Sequence, residues 1–183
     1  MSFMKPEDRE TWARAIARFR AEKEYFFRTS PDSPLHGNVE GFPGLNYFDP
    51  DPTFRFEMKL QRNANPEAVV VATSKGTRQL FNRVGYFDLN IAGTQLRINA
   101  YQPVGRDDPN LFVPFRDATS GEESYGAARY LDLEMEHNDE YVVDFNYAYN
   151  PYCAYSEDYV CPLPPHENWL KVHVRAGEKK YHA

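Results

Sequence analysis

The chain has 183 residues, 42% of them hydrophobic and 15% aromatic, with a formal net charge of −6 at pH 7. That length and apolar content suit one globular domain whose core needs neither metal nor disulfide, and they exclude a disordered chain. The acidic balance argues against nucleic-acid and anionic-membrane partners, which need a cationic surface, and no apolar run approaches the ~20 residues that span a bilayer.

The opening residues, MSFMKPEDRETWARA, lack the apolar centre of a signal peptide, so the expected location is the cytoplasm. There both cysteines are expected to stay reduced. A helix is predicted within residues 1–30. Pro6 suits its first turn, Glu7 and Asp8 favour its positive end, and Ser30-Pro31 stops it. Trp12, Ile16 and Phe19 form an apolar stripe, with Arg14, Arg18 and Lys23 largely off it. The stripe packs on the body of the protein or, alternatively, makes a homodimer contact.

Residues 31–52, rich in Pro, Gly and Asp, read as an irregular ordered segment, anchored by Leu35, Phe42, Leu45, Tyr47 and Phe48. From residue 53 the period changes to two. Phe54, Phe56 and Met58 alternate with Arg55, Glu57 and Lys59, the pattern of a half-buried strand. Further strands are predicted at Ala68–Thr73, Tyr86–Ile91 and Gln95–Tyr101. The last two form a hairpin about Ala92-Gly93. SKGTR (74–78) reads as a solvated hairpin tip. Leu111–Phe115 is a strand whose Pro114 suggests an edge. Ala128–Met135 and Tyr141–Tyr149 read as a second hairpin, and Trp169–Val174 as the last strand. The fold class is therefore mainly β: an N-terminal helix followed by an antiparallel barrel or sandwich of about eight strands, in a single domain over 1–183.

Candidate chemistry concentrates after residue 115. In the strand from Arg129, the residues Arg129, Leu131, Leu133 and Met135 share a face, which turns Arg129 inward. A buried guanidinium needs a carboxylate or an anionic ligand, and its planar fork suits both. The plainer reading is a strand-end arginine whose head reaches solvent. Asp144 is its nearest candidate partner, across the expected hairpin, with Asn146 and Asn150 on the same polar line. Asp117 and Thr119 lie in a turn-rich loop of short hydrogen-bonding side chains. Tyr125-Gly126 marks either a bulge or a close approach to a ligand. Tyr152, Cys153 and Cys161 lie in DFNYAYNPYCAYSEDYVCPLPP (144–165), too aromatic and proline-clamped for a linker.

Seven residues separate Cys153 from Cys161, which fits neither a redox C-x-x-C nor a zinc knuckle. Two small buried hydrophobes are the leading reading, with a zinc site including His166 and a disulfide as alternatives. No nucleotide, metal or nucleophile motif is present, so no cofactor and no metal are expected.

The segments SPDSPL (30–35), FPGLNYFDPD (42–51), FRDATSGEESYGAARYLDL (115–133), DFNYAYNPYCAY with CPLPPHEN (144–168) and RAGEK (175–179) resemble the domain of unknown function 1684 family of bacteria and archaea. The likeness covers nearly the whole chain. It departs at His166, where the family commonly has proline, and at Ala128, near which it favours glycine. It implies that Tyr125, Arg129, Asp144, Asn146, Asn150, Cys153 and Cys161 belong to the family's signature, and it implies no reaction.

The leading functional expectation is a pocket for a small polar or anionic molecule. Its walls would be the Asp117–Gly121 loop, the Arg129 strand and the Asp144–Cys161 segment. One alternative is a hydrolase or isomerase with Asp144 as general base and Arg129 stabilising an anion. The other is a structural or protein-interaction module.

Overall fold

The computed structural model describes residues 4–105 and 110–181. One long helix, α1 (Pro6–Thr29), starts with proline in its first turn and acidic side chains at Glu7 and Asp8. It ends where the Ser30 N–H bonds to the Phe26 carbonyl. Its packed face runs through Trp12, Ile16, Phe19, Lys23 and Phe27, with Ile16 and Phe27 fully buried. Lys23 therefore belongs to the stripe, not off it. It continues the i, i+4, i+7, i+11 series, and only its charge disguised that.

Among the described residues seven strands follow, in two antiparallel sheets. They are β1 (Arg55–Lys59), β2 (Gln61–Ala72), β3 (Arg78–Ile91), β4 (Thr94–Pro103), β5 (Leu111–Phe115), β6 (Arg129–Leu133) and β7 (Glu140–Asp144). β2-β3-β4-β5-β6 form one open sheet, and β1 with β7 forms a two-stranded ribbon. The outer strands β2 and β6 do not pair with each other, so the sheet is not a closed barrel. The hairpin at Ala92-Gly93 is present, both residues having positive φ, and 73–77 forms the tip between β2 and β3. At Gly85, where the β3–β4 register slips, a Cβ would lie 2.5 Å from the Gln61 carbonyl, so only glycine lets β2 approach there.

Three expectations need correction. β6 and β7 are not a hairpin. β6 pairs with β5 (Phe115 opposite Arg129), and β7 pairs with β1 (Asp144 opposite Arg55). A polar turn between two alternating runs looks the same whether the chain folds back on itself or crosses between sheets.

Trp169–Val174 is not an eighth strand. It runs irregularly after a 3-10 turn at His166–Asn168, touching the sheet through a bridge from Trp169 to Arg116.

Pro114 is internal, not at an edge. β4 and β5 pair only at Tyr101–Phe112, and beyond that the Asn168 side chain fills the gap. Its Nδ2 donates to the carbonyls of Asn99 (2.9 Å) and Pro114 (2.8 Å), and its Oδ1 accepts from the Asn99 N–H at 2.8 Å. A side-chain amide thus replaces the ladder that proline cannot continue.

The main core lies between the large sheet and the ribbon. Ile98, Val113, Phe115, Val143 and Phe145 are fully buried there, with Val174 and Ala176 from the C-terminal segment. A second aromatic cluster joins α1 to the rest through Phe27, Leu35 and Phe42. No helix among the described residues is long and apolar enough to cross a membrane.

Candidate functional site

Arg129 is 1% exposed, at the inner end of β6. Its Nη2 donates to the Asp117 carboxylate at 3.1 Å and to the Val174 carbonyl at 2.8 Å. Its Nη1 donates to the carbonyls of Ala176 and Glu178. Those carbonyls belong to alternate residues of the C-terminal segment, and the planar fork gathers all three. Nε alone lacks a partner. Burial lowers the arginine's pKa, and the Asp117 charge opposes that shift.

Asp117 in turn accepts from the Val174 N–H at 2.7 Å and from the Thr119 N–H and hydroxyl. The Thr119 hydroxyl also meets Ser124 at 2.8 Å. Arg129, Asp117 and Thr119 therefore form a clamp that holds residues 174–178 in the interior. Gly177 completes it. Its φ is +76°, and a Cβ would lie 2.5 Å from the Ala148 carbonyl and 2.7 Å from that of Phe145.

Glu178 leaves that clamp with its carboxylate fully buried. It accepts from Lys23 of α1, from the Asn150 N–H (2.7 Å) and from the Tyr155 hydroxyl (2.8 Å). The Asn150 amide donates to the Lys179 carbonyl at 2.8 Å. Burial, and then Glu178, push the Tyr155 pKa far up, so its hydroxyl stays a donor. Nothing local in the sequence points to a partner for Glu178, although RAGEK is among the segments that carry the family resemblance, and the charge of Lys23 sets it apart from the helix stripe.

Asp144 does not meet Arg129. Its Oδ2 accepts from the Trp12 indole at 2.7 Å, and its Oδ1 from the N–H and side-chain amide of Asn146. Asn146 also bonds both backbone groups of Asp51, each at 2.8 Å. The pair ties α1 and the 31–52 segment to the ribbon.

A cavity of about 520 Å³ opens beside the Glu178 cluster, between α1 and the 149–161 loop. Its walls are the rings of Phe19, Tyr130, Tyr149, Tyr152 and Tyr159, and Lys23, Val160 and Cys161 complete it. Lys23 is 14% exposed, with its ammonium 5.0 Å from the Tyr149 ring centroid. Tyr130 and Tyr149 exchange backbone hydrogen bonds and meet edge-to-face at 5.7 Å. Tyr130 alternates with Arg129 along β6 and so lies on the opposite face of that strand. The 149–162 loop covers that face, and the Tyr130 hydroxyl bonds the Pro162 carbonyl.

Cys161 of this wall meets the second thiol, Cys153, behind it. The Cys153 N–H donates to the Cys161 sulfur at 3.4 Å, and the Tyr125 hydroxyl is 3.8 Å from the Cys153 sulfur. Hydrogen bonding from Cys161 and Tyr125 draws the Cys153 pKa down to about 6, against the effect of burial. The same pairing, with burial, pushes Cys161 far up. His166 stacks on Trp169 with ring centroids 3.9 Å apart. Among the described residues no three His, Cys, Asp or Glu side chains are grouped to hold a metal ion.

The ten sequence candidates thus separate. Asp117, Thr119 and Arg129 meet in the clamp, Asp144 and Asn146 in the helix tie, and Asn150 beside Glu178. Tyr152 and Cys161 line the cavity, with Cys153 and Tyr125 directly behind it. Lys23, Glu178, Phe19, Tyr130, Tyr149 and Tyr159 are the residues the sequence did not single out.

Comparison with known proteins agrees with the motif resemblance. The family model described as "Protein of unknown function (DUF1684)" matches residues 40–179. The chain is also similar to an uncharacterized protein of Haloarcula marismortui whose solution NMR structure is known. That protein shares 38% identity and a TM-score of 0.72, over 96% of this chain and 97% of the other. No curated protein matches. With its motifs, its fold and 140 contiguous residues in common with the family model, the chain belongs to the DUF1684 family of proteins of unknown function.

Proposed function

We propose that this protein binds a small molecule in the aromatic cavity between α1 and the 149–161 loop. The ligand class is a flat, largely apolar body that carries one anionic or carbonyl oxygen. One observation carries the reading: a cavity of about 520 Å³, walled by five aromatic rings, has Lys23 in its lining, with the ammonium paired to Glu178 and 5.0 Å from the Tyr149 ring centroid. That volume is within the range of small-ligand sites, which pair apolar walls with a few polar groups. Flat faces favour stacked or edge-on rings. Lys23 has three donors, one of them committed to Glu178, and it offers the others to an oxygen at the inner wall.

The expected site around Arg129 shifts accordingly. The guanidinium is occupied by Asp117 and three carbonyls, and the Asp144 carboxylate by Trp12 and Asn146. General-base and anion-stabilising roles for these two need a cavity that neither lines among those described. For the clamp residues the structural-module reading is the better supported. We also infer one folding domain located in the cytoplasm, since the clamp and the helix tie join α1, the 31–52 segment, β6, β7 and the C-terminal segment, and Cys153 and Cys161 are free thiols.

The test is ¹H–¹⁵N NMR of the labelled protein titrated with aromatic carboxylates and their neutral isosteres. Carboxylates should shift resonances of residues 149–161 and of α1 near Lys23, and the isosteres less. Silence of those resonances across the panel, or shifts confined to other surfaces, would end the proposal.

A further inference from the structure

We propose that Cys153 and Cys161 are a peroxide-reducing dithiol, with Cys153 the attacking sulfur and Cys161 the resolving one. Three features of the geometry point there. The two residues already touch, the Cys153 N–H lying 3.4 Å from the Cys161 sulfur. They are also unequal: Cys153 is half-buried in the loop, while Cys161 is buried and belongs to the lining of the aromatic cavity. Finally, the Tyr125 hydroxyl, 3.8 Å from the Cys153 sulfur, is placed to hydrogen-bond a thiolate there and to steady a neighbouring oxygen.

Both backbones are anchored. Cys161 exchanges hydrogen bonds with Ser74, through its N–H to the Ser74 hydroxyl and its carbonyl from the Ser74 N–H. Cys153 lies in the 3-10 turn Tyr152–Ala154. The drop of the Cys153 pKa to about 6 agrees with this division of roles, because the thiolate is the nucleophile.

The chemistry closes without a metal. The Cys153 thiolate attacks one peroxidic oxygen of a hydroperoxide, the O–O bond breaks, and the leaving alkoxide or hydroxide takes a proton. Cys153 becomes a sulfenic acid and the hydroperoxide an alcohol or water. The Cys161 sulfur then attacks the sulfenic sulfur, its proton leaves with the hydroxyl as water, and the disulfide forms. Two electrons have passed from the dithiol to the peroxide. A dithiol reductant restores both thiols through two exchange steps. Hydrogen peroxide is small and needs no stacking on the aromatic walls, so the inference stands or falls independently of ligand binding in the aromatic cavity.

The experiment uses the full chain, reduced and freed of reductant, with one equivalent of hydrogen peroxide at pH 6. Timed samples are quenched with a sulfenate-trapping 1,3-dione or an alkylating agent and mapped by peptide mass. The expected result is early trapping at Cys153, followed by an intramolecular Cys153–Cys161 disulfide. Oxidation should run about 10–100-fold faster than that of glutathione at the same pH, following thiolate fraction less the nucleophilicity lost with basicity. Alkylation of Cys153 should rise with pH through a midpoint near 6 and level off above it. In Cys161→Ala the sulfenate should persist and no disulfide should form. Should that variant misfold, the timed wild-type mapping decides alone. First trapping at Cys161, disulfides between chains only, or a rate equal to glutathione's would each overturn the proposal.

Discussion

Arg129 and Lys23 are two cations drawn out of solvent by the same C-terminal residues, and they end in opposite situations. Arg129 spends its fork on Asp117 and the carbonyls of Val174, Ala176 and Glu178, with aromatic rings over its faces. Lys23 holds the Glu178 carboxylate from the other side, yet it stands in the wall of a cavity. The first charge is closed by the chain itself and organises the fold. The second remains open toward a space. Arg129 belongs to the family signature and is closed, whereas Lys23 lies outside it and is open, so belonging to that signature does not separate scaffold from site. The number of donors left for a ligand does.

The contrast predicts its own largest effect. Arg129→Ala removes the fork and leaves Asp117 buried without its counter-charge, beside three carbonyls that have lost their donor. Breaking a buried pair from one side costs about 3–5 kcal/mol, so urea unfolding should show a loss of that order. Asp117→Ala should couple strongly to it in a double-mutant cycle, whereas Asp144→Ala, which shares no partner with it, should add within ~0.5 kcal/mol. A loss under about 1 kcal/mol for Arg129→Ala, well short of a buried pair, would show that residues 174–178 are held by something else.

Gly177→Ala probes the same clamp from the backbone. At φ +76° a side chain is strained, which costs about 1–3 kcal/mol. The overlap with the Ala148 and Phe145 carbonyls adds to that. Thermal unfolding should therefore fall clearly, and a neutral result would mean that the C-terminal segment relaxes freely. Trp12→Phe comes next. It leaves the Asp144 Oδ2 without its 2.7 Å indole donor. A hydrogen bond to a charged group is worth about 1.5–3 kcal/mol, and denaturant titration should find the loss in that range. An unchanged midpoint would show that α1 is seated by its apolar stripe alone.

The local pattern of the chain made some of this legible and concealed the rest. The helix stripe, the alternation in β1, the Ala92-Gly93 hairpin and the inward turn of Arg129 follow from side-chain period, which needs only neighbours in sequence. The partners do not. Arg129 finds Asp117, twelve residues earlier, and not Asp144, because β6 and β7 leave for different sheets. Alternation is blind to that choice. Pro114 looked like an edge because proline cannot complete a ladder, and nothing nearby in sequence announces that Asn168 will complete it. The cavity was half visible. The Tyr152–Cys161 run marked one wall, but the opposite wall is α1, where the charge of Lys23 places it off the apolar stripe. Carrying the helical period one step past Phe19 would have placed it on the buried face.

The smallest predicted effect is the one that isolates the open region. Val160 lines the cavity and is 42% exposed. It makes no polar contact that the clamp depends on. Val160→Trp places an indole across the mouth without removing a buried group, and surface changes of that kind usually stay within about ±0.5 kcal/mol. Stability should therefore hold while occupancy is lost: resonance shifts of residues 149–161 with aromatic carboxylates should vanish in the variant. The clamp variants offer the converse, since they lower stability without touching the cavity wall. If Val160→Trp unfolds the protein, the 149–161 loop is part of the scaffold and the division between the two cations fails. If the variant is stable and the shifts persist, the ligand is held elsewhere and Lys23 is as closed as Arg129.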